Sequence, residues 1–317
     1  MELNKNIIDE VINSLKESPI FNISLTSKEL FHSNFLAWLC EQFPEEMGTV
    51  FSQFINRKDG DLAIARNEKI KREEKNIDLQ FSLKNGQHII IENKVKSLPY
   101  LKQLEDYTRK YSDKAKYSYI LLSLSKPTHL FREIDDKIEV KINDSTYYWK
   151  YMSYEFLSKL LRIELIEKKS NKNQYITHII SDYISLIENL CKINALTNVN
   201  EKDKFDIYEN YIYKSFGDDS IRLGDYYIKK ISENLAVKIL LKVKKIVKEN
   251  NLVEVGAVGY NIKPEKEKEY VNVNSSIVKG FNGEVRLYYR INKRVTISIE
   301  LSKTYYRKML HVKNSFK

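Results

Sequence analysis

Along the first seventeen residues, Ile7, Ile8, Val11, Ile12 and Leu15 recur at three- and four-residue spacing, which predicts a helix over 4–17 with one apolar side. A second helix is expected from Thr26, where Thr26-Ser27-Lys28-Glu29 reads as a capping box ahead of Leu30, Phe31, Phe35, Trp38 and Leu39. Pro44 and Gly48 interrupt that pattern. Residues 76–83 alternate strictly between polar and apolar, as a half-buried strand does; Asn85-Gly86 is a strong turn signal, and His88 to Val95 is a second strand. Pro99 stands where helices begin, so Tyr100 to Tyr111 is predicted as a helix, and Tyr117 to Ser125 as an apolar third strand ahead of Pro127. Strand, strand, helix, strand predicts an α/β layout.

Two further helices are expected at Trp149–Leu165 and Gln174–Leu190. The polar stretch around Ala195–Lys204 marks a domain boundary, giving domains 1–195 and 196–317. Beyond it, 226–247 reads as a long basic amphipathic helix, followed by strands at 252–260, 270–279, 285–291 and 294–301. In the last pair Val285, Leu287, Tyr289 and Ile291 would share a face with Val295, Ile297, Ile299 and Leu301. The second domain is thus expected to be α+β.

Composition narrows the class. The 317 residues are 42% hydrophobic and 30% charged, which suits a folded chain rather than a disordered one. No apolar run approaches the ~20 residues of a membrane span, and Met1 to Lys5 lacks a signal-peptide pattern. Cys40 and Cys191 form neither a disulfide framework nor a metal spacing, so a cytoplasmic location is expected. The five scattered histidines offer no zinc spacing.

The net charge of +10 is uneven. Residues 1–195 carry 29 basic and 28 acidic side chains, whereas 196–317 carry 24 and 15. Over 285–317, Arg286, Arg290, Lys293, Arg294, Arg307 and Lys308 lie among Tyr288, Tyr289, Tyr305 and Tyr306, with Glu300 as the one acid. Such a segment favours a polyanion, nucleic acid first; a solvated Lys/Arg-rich surface is the competing reading.

The chemistry concentrates at Asp78 and Glu92-Asn93-Lys94. Residues two apart on a strand share a face, so Glu92 and Lys94 point the same way. Whether Asp78 joins them depends on hairpin register. A two-residue Asn-Gly loop would turn Asp78 away; a three-residue loop would bring it alongside. The three-residue loop also gathers Ile77, Leu79, Phe81 and Leu83 with Ile89 and Ile91 on one apolar side, so a hairpin bulged at Gly86 is predicted, with Asp78, Glu92 and Lys94 converging. Two carboxylates and an ammonium suit Mg²⁺, which binds one or two carboxylates plus waters and phosphate oxygens. The alternative is a surface salt bridge between Glu92 and Lys94.

Glu29-Leu30-Phe31-His32-Ser33-Asn34-Phe35-Leu36-Ala37-Trp38-Leu39, Ile77-Asp78-Leu79, Ile89-Ile90-Ile91-Glu92-Asn93-Lys94, and Gln103-Leu104 with Tyr107 together resemble the PD-(D/E)XK nuclease superfamily over roughly residues 25–190. The likeness is closest to bacterial members with an HSxFLxWL helix and an IENK strand. The resemblance implies a restriction-endonuclease-like mixed central sheet flanked by helices, and Mg²⁺-dependent phosphodiester cleavage, with Mn²⁺ able to substitute. Carried over by position, Asp78 and Glu92 would be metal ligands with the Asn93 carbonyl a third, Lys94 the catalytic lysine, Gln103 the glutamine of the following helix and Glu29 the acid of the N-terminal helix. Ile77 stands where many members have proline, and the upstream acid stays open among Glu68, Glu73 and Glu74. DNA is expected before RNA as substrate, a homodimer follows by analogy, and defence against phage or mobile DNA rests on the resemblance alone. The rivals are a non-catalytic nucleic-acid-binding protein and a protein-interaction adaptor that kept the fold.

Residue by residue, a structural role competes. Glu29 also fits the capping box, and His32 fits hydrogen bonding that orders Glu29 or the strand end. Ser33 fits packing or hydrogen bonding. Gln103 and Tyr107, four apart on a helix, could form one face, with Tyr107 in the core.

Overall fold

The computed structural model describes residues 5–24, 28–95, 101–126, 137–168, 173–198 and 211–218, positions scattered between 222 and 234, and strands at 272–273, 284–290, 295–302 and 306–312. The chain divides into two compact units, one spanning Leu3–Asn194 and the other built mainly from Ala195–Lys317.

The first unit opens with α1 (Lys5–Glu17), α2 (Pro19–Ser24), α3 (Lys28–Gln42) and α4 (Pro44–Phe51). In α1 the side chains of Ile8, Val11, Ile12 and Leu15 are buried while Ile7 is exposed. Pro44 does not end structure but begins α4, at a position whose N–H has no helical partner. Gly48 likewise lies inside α4: a Cβ there would stand 2.2 Å from the Leu62 carbonyl oxygen, so the 62–63 backbone crosses the helix where only glycine fits.

A six-stranded mixed sheet follows, built from β1 (Lys71–Glu74), β2 (Ile77–Ser82), β3 (His88–Lys94), β4 (Tyr117–Ser123), β5 (Lys137–Ile142) and β6 (Ser145–Ser153), in the order β1-β2-β3-β4-β6-β5. β3–β4 and β4–β6 are parallel and the other pairs antiparallel. Helix α5 (Leu101–Lys110) links β3 to β4 and covers one face, where Leu104 and Tyr107 pack with Ile90, Tyr119, Leu121, Val140 and Trp149. On the other face lie α3 and α6 (Tyr154–Leu161), and α7 (Gln174–Ala195) packs against α3 through Tyr183 and Phe35. This is the restriction-endonuclease-like α/β architecture.

Three elements differ from the sequence expectation. Trp149–Leu165 is not one helix: β6 runs to Ser153, and the α6 cap is Ser153, whose Oγ accepts from Phe156 N–H at 3.0 Å. Trp149 is a fully buried strand residue whose indole N–H donates to Thr108 Oγ1 on α5 at 2.9 Å. β1 and β5 have no counterpart in the sequence pattern read above. Lys71–Glu74 is charged throughout and joins the sheet by pairing with β2, with Lys75 and Asn76 both left-handed in the two-residue turn.

In the second unit, α8 (Tyr211–Phe216) contributes Phe216, whose ring meets Tyr227 edge-on at 5.7 Å, and Asn234 donates to the Thr197 carbonyl at 2.9 Å. A four-stranded antiparallel sheet is ordered β10-β9-β8-β7, from β7 (Asn272–Val273), β8 (Glu284–Arg290), β9 (Val295–Ser302) and β10 (Tyr306–Val312). Its register sets Val285 across from Leu301, Leu287 from Ile299 and Tyr289 from Ile297. β10 has no counterpart in the sequence reading. The expected strand at 252–260, and most of the expected helix at 226–247 and strand at 270–279, lie outside the described residues.

Candidate active site

The β2–β3 hairpin decides whether an active site forms. Leu79 pairs with Ile91, Phe81 with Ile89 and Ser82 with His88, and Leu83 N–H donates to the Gln87 carbonyl at 2.8 Å. Lys84, Asn85 and Gly86 form the three-residue loop, and Gly86 takes φ +83, a conformation that favours glycine. This is the bulged register expected from the apolar alternation. It places Asp78 directly across from Glu92. The ladder ends at Leu79–Ile91, and beyond it the Asn93 N–H turns to Asp78 Oδ2, at 2.6 Å, instead of to a strand carbonyl.

Glu92 is fully buried and Lys94 nearly so, with Lys94 Nζ ion-paired to Glu92 Oε1. A surface salt bridge is therefore excluded. Neither carboxylate oxygen of Glu92 has a hydrogen-bond partner of good geometry among the described residues. Burial pushes the Glu92 carboxyl up to about 8; Lys94 opposes the shift and Asp78 adds to it. Burial also raises Asp78, against the Asn93 N–H and Lys94, with Glu29 reinforcing the rise. For Lys94 burial favours the neutral amine, but Glu92 outweighs it and the ammonium is held above its ordinary range. Burial thus favours the protonated form of both carboxyls relative to water.

Glu29 lies on the first turn of α3, where its charge acts on Asp78, Lys94 and Glu73. The three upstream acids separate. Glu68 accepts from Ser82 Oγ, which also contacts His88 Nδ1 at 2.8 Å, four residues along β2 from Asp78. Glu74 is an exposed partner of Lys71 at 2.9 Å. Burial raises the Glu73 carboxyl, Asp78 and Glu29 add to the rise, and Lys94 opposes it. The β1–β2 register sets Glu73 across from Asp78, and its φ of +53 is a left-handed conformation costly for glutamate. No sequence signal could separate Glu73 from its neighbours, because the selection depends on that backbone twist.

Gln103 is not on the carboxylates. Its Nε2 donates to Tyr107 Oη at 2.8 Å; Tyr107 Oη donates to the Asn76 carbonyl, and burial, then Glu92, raises the phenol. Tyr107 is buried core, yet its hydroxyl borders the site. His32 Nδ1 meets Tyr183 Oη at 3.1 Å, a hydrogen-bonding role. For Arg286, Arg290, Arg307 and Lys308 the backbone strand positions are described, while Lys293 and Arg294 lie outside the described residues. Sequence reasoning missed Tyr154, whose hydroxyl donates to Asn93 Oδ1 at 2.6 Å from sixty-one positions away.

The donor set fits a hard divalent ion. Two buried carboxylates set side by side share one lysine, and the Glu92 oxygens make no hydrogen bond of good geometry among the described residues, so a hard, oxygen-seeking cation could be held there. Among the described residues no group of three or more His, Cys, Asp or Glu side chains is placed to hold a metal ion.

A model of the PD-(D/E)XK nuclease superfamily matches residues 19–185, more than half of the chain and the whole stretch carrying these residues. The chain belongs to that superfamily. No curated protein matches it, and no solved structure matches it. Among the described residues no helix is long and apolar enough to cross a membrane.

Proposed function

We propose that the protein is a Mg²⁺-dependent nuclease, with Mn²⁺ able to substitute, that hydrolyses phosphodiester bonds of DNA in preference to RNA. The observation that carries this reading is Glu92: a fully buried carboxylate ion-paired to Lys94 and set opposite a second carboxylate, with no hydrogen bond of good geometry to either oxygen among the described residues. Such an arrangement is costly to fold without a ligand. Asp78, Glu92 and the Asn93 carbonyl would hold the ion. When bound, it supplies a Lewis acid for the scissile phosphate and lowers the pKa of an attacking water.

The chain's own residues do the rest. Lys94, whose ammonium the neighbouring Glu92 and Asp78 favour, would donate hydrogen bonds and positive charge to the phosphate as negative charge builds there. Glu29 and Glu73 add negative charge at the edge of the site, and Gln103 fixes the Tyr107 hydroxyl beside it. In the second unit Arg286, Arg290, Lys293, Arg294, Arg307 and Lys308 are proposed to grip the nucleic-acid backbone. A cytoplasmic homodimer that cuts invading phage or mobile DNA is the setting this reading favours, by analogy with nucleases of the fold.

The test is cleavage of labelled double-stranded DNA, single-stranded DNA and RNA in parallel, with Mg²⁺, Mn²⁺ or EDTA, by wild type and Lys94→Ala. DNA cutting that needs the cation and is lost in the variant is expected. Salt-sensitive binding without cutting would replace the reading with the non-catalytic binder, and no binding with the adaptor.

A further inference from the structure

Asn93 lies between the acid and the lysine of β3, and its side chain leaves the sheet on the face opposite theirs. There its carboxamide is fully engaged. Oδ1 accepts from Tyr154 Oη at 2.6 Å, and Nδ2 donates to the Glu29 carbonyl and to Ser33 Oγ, each at 3.1 Å. Ser33 Oγ donates onward to the same Glu29 carbonyl at 3.0 Å. Asn93, Ser33 and Tyr154 are all excluded from solvent. On its sheet edge the Asn93 N–H holds Asp78 Oδ2. One residue therefore touches α3, which carries Glu29, and β2, which carries Asp78, from the strand that carries Glu92 and Lys94.

The chemistry admits little else at this position. An aspartate would set an acceptor against the Glu29 carbonyl, and a leucine would leave the Tyr154 hydroxyl, the Glu29 carbonyl and Ser33 without their partner in a dry interior. Tyr154 is itself pinned as the first residue of α6, behind the Ser153 cap, with the His32 ring edge-on at 5.5 Å. The grip on Asn93 therefore comes from rigid elements on the far side of the sheet.

We propose that Asn93 is the positioning residue of this site. Clamped by Tyr154 and Ser33 on one side of the sheet, it fixes on the other the N–H that aims Asp78 and the carbonyl offered to the cation. It also sets the Glu29 turn of α3 against the same strand. The carbonyl's part in this rests on the cation reading above; the clamp on Asp78 and α3 does not.

Full-length wild type, Tyr154→Phe, Ser33→Ala and Tyr183→Phe separate the possibilities. Tyr183→Phe is the matched control: it removes a hydroxyl equally buried nearby, one that meets His32 and not Asn93. In the metal-free proteins, hydrogen exchange of the Asn93 amide is read by NMR; Mn²⁺ affinity is then read by calorimetry without nucleic acid. Tyr154→Phe is expected to speed Asn93 exchange at least tenfold and weaken Mn²⁺ binding about tenfold. Ser33→Ala should do the same to a lesser degree, and Tyr183→Phe neither, at similar loss of melting temperature. Faster exchange in a protein whose wild type takes no Mn²⁺ would support the clamp and sink the cation reading. Unchanged exchange and affinity in Tyr154→Phe and Ser33→Ala, with wild type binding Mn²⁺, would overturn the clamp and leave the cation reading standing. Equal effects from Tyr183→Phe would reduce it to general stability and overturn it as well.

Discussion

Replacing Asp78 with asparagine should stabilise the metal-free protein while destroying its proposed activity. Asp78 stands across the hairpin from Glu92, a separation of about 5 Å for cross-strand side chains. At an effective dielectric near 20, two carboxylates at that distance repel by about 3 kcal/mol. Lys94 offsets part of this, and the Asn93 N–H gives Asp78 a charge-assisted bond that asparagine's oxygen would replace with a neutral one, at a cost of about 1 kcal/mol. Burial, the largest cause, nevertheless raises Asp78, so the balance is against the ionised form. A net gain of roughly 1–2 kcal/mol is expected above pH 8, or about 3–6 °C in melting temperature for a unit of this size. With Mg²⁺ at a hundred times its dissociation constant, wild type gains about 2.7 kcal/mol and the variant nothing, so the ranking reverses. Cleavage falls at least about 100-fold. The assay is thermal melting at pH 8.5 with EDTA and with Mg²⁺. A variant that melts lower than wild type in EDTA, or keeps the Mg²⁺ gain, would refute the reasoning.

Other outcomes follow from the same geometry. Because the Glu92 carboxyl is raised to about 8 in the fold, its contribution to stability is fully present below its unfolded value and lost as pH rises through 8. Metal-free melting temperature should thus fall between pH 6.5 and 8.5, and saturating Mg²⁺ should flatten the slope; burial lowers His88, which moves its own titration away from this window. Gly48→Ala drives a methyl into the Leu62 carbonyl and should cost about 2 kcal/mol in urea denaturation, although alanine favours helix by about 1. Removing Arg286, Arg290, Arg307 and Lys308 together should lower the slope of log affinity against log salt by about 0.9 for each phosphate no longer neutralised, measured in DNA-binding titrations.

Much of the site was legible because one local conflict had a single resolution. Alternation over 76–83 and 88–95 could bury its apolar set only if the Asn85-Gly86 turn carried an extra residue, and that register alone brought Asp78 to Glu92. Elsewhere the sequence carried less. Lys71–Glu74 has no apolar residue to reveal a strand, so Glu73 could not be separated from its neighbours before its left-handed backbone was seen. Over 145–153 aromatic residues crowd both parities, which hid the strand and let Trp149 pass for a helix start. The β5 signal was present, since Ile138, Val140 and Ile142 are buried and alternate with Lys137, Glu139 and Lys141. The Tyr154–Asn93 bond was unreadable: it joins positions related only by the folded sheet.

The most direct test is a crystal of the full-length protein soaked in Mn²⁺ and measured at the manganese edge. An anomalous peak between the Asp78 and Glu92 carboxylates, within ligand distance of the Asn93 carbonyl and with Lys94 moved off Glu92, is the expected result. Lys94 still paired to Glu92 at saturating Mn²⁺, with no peak at the two carboxylates, would contradict the account.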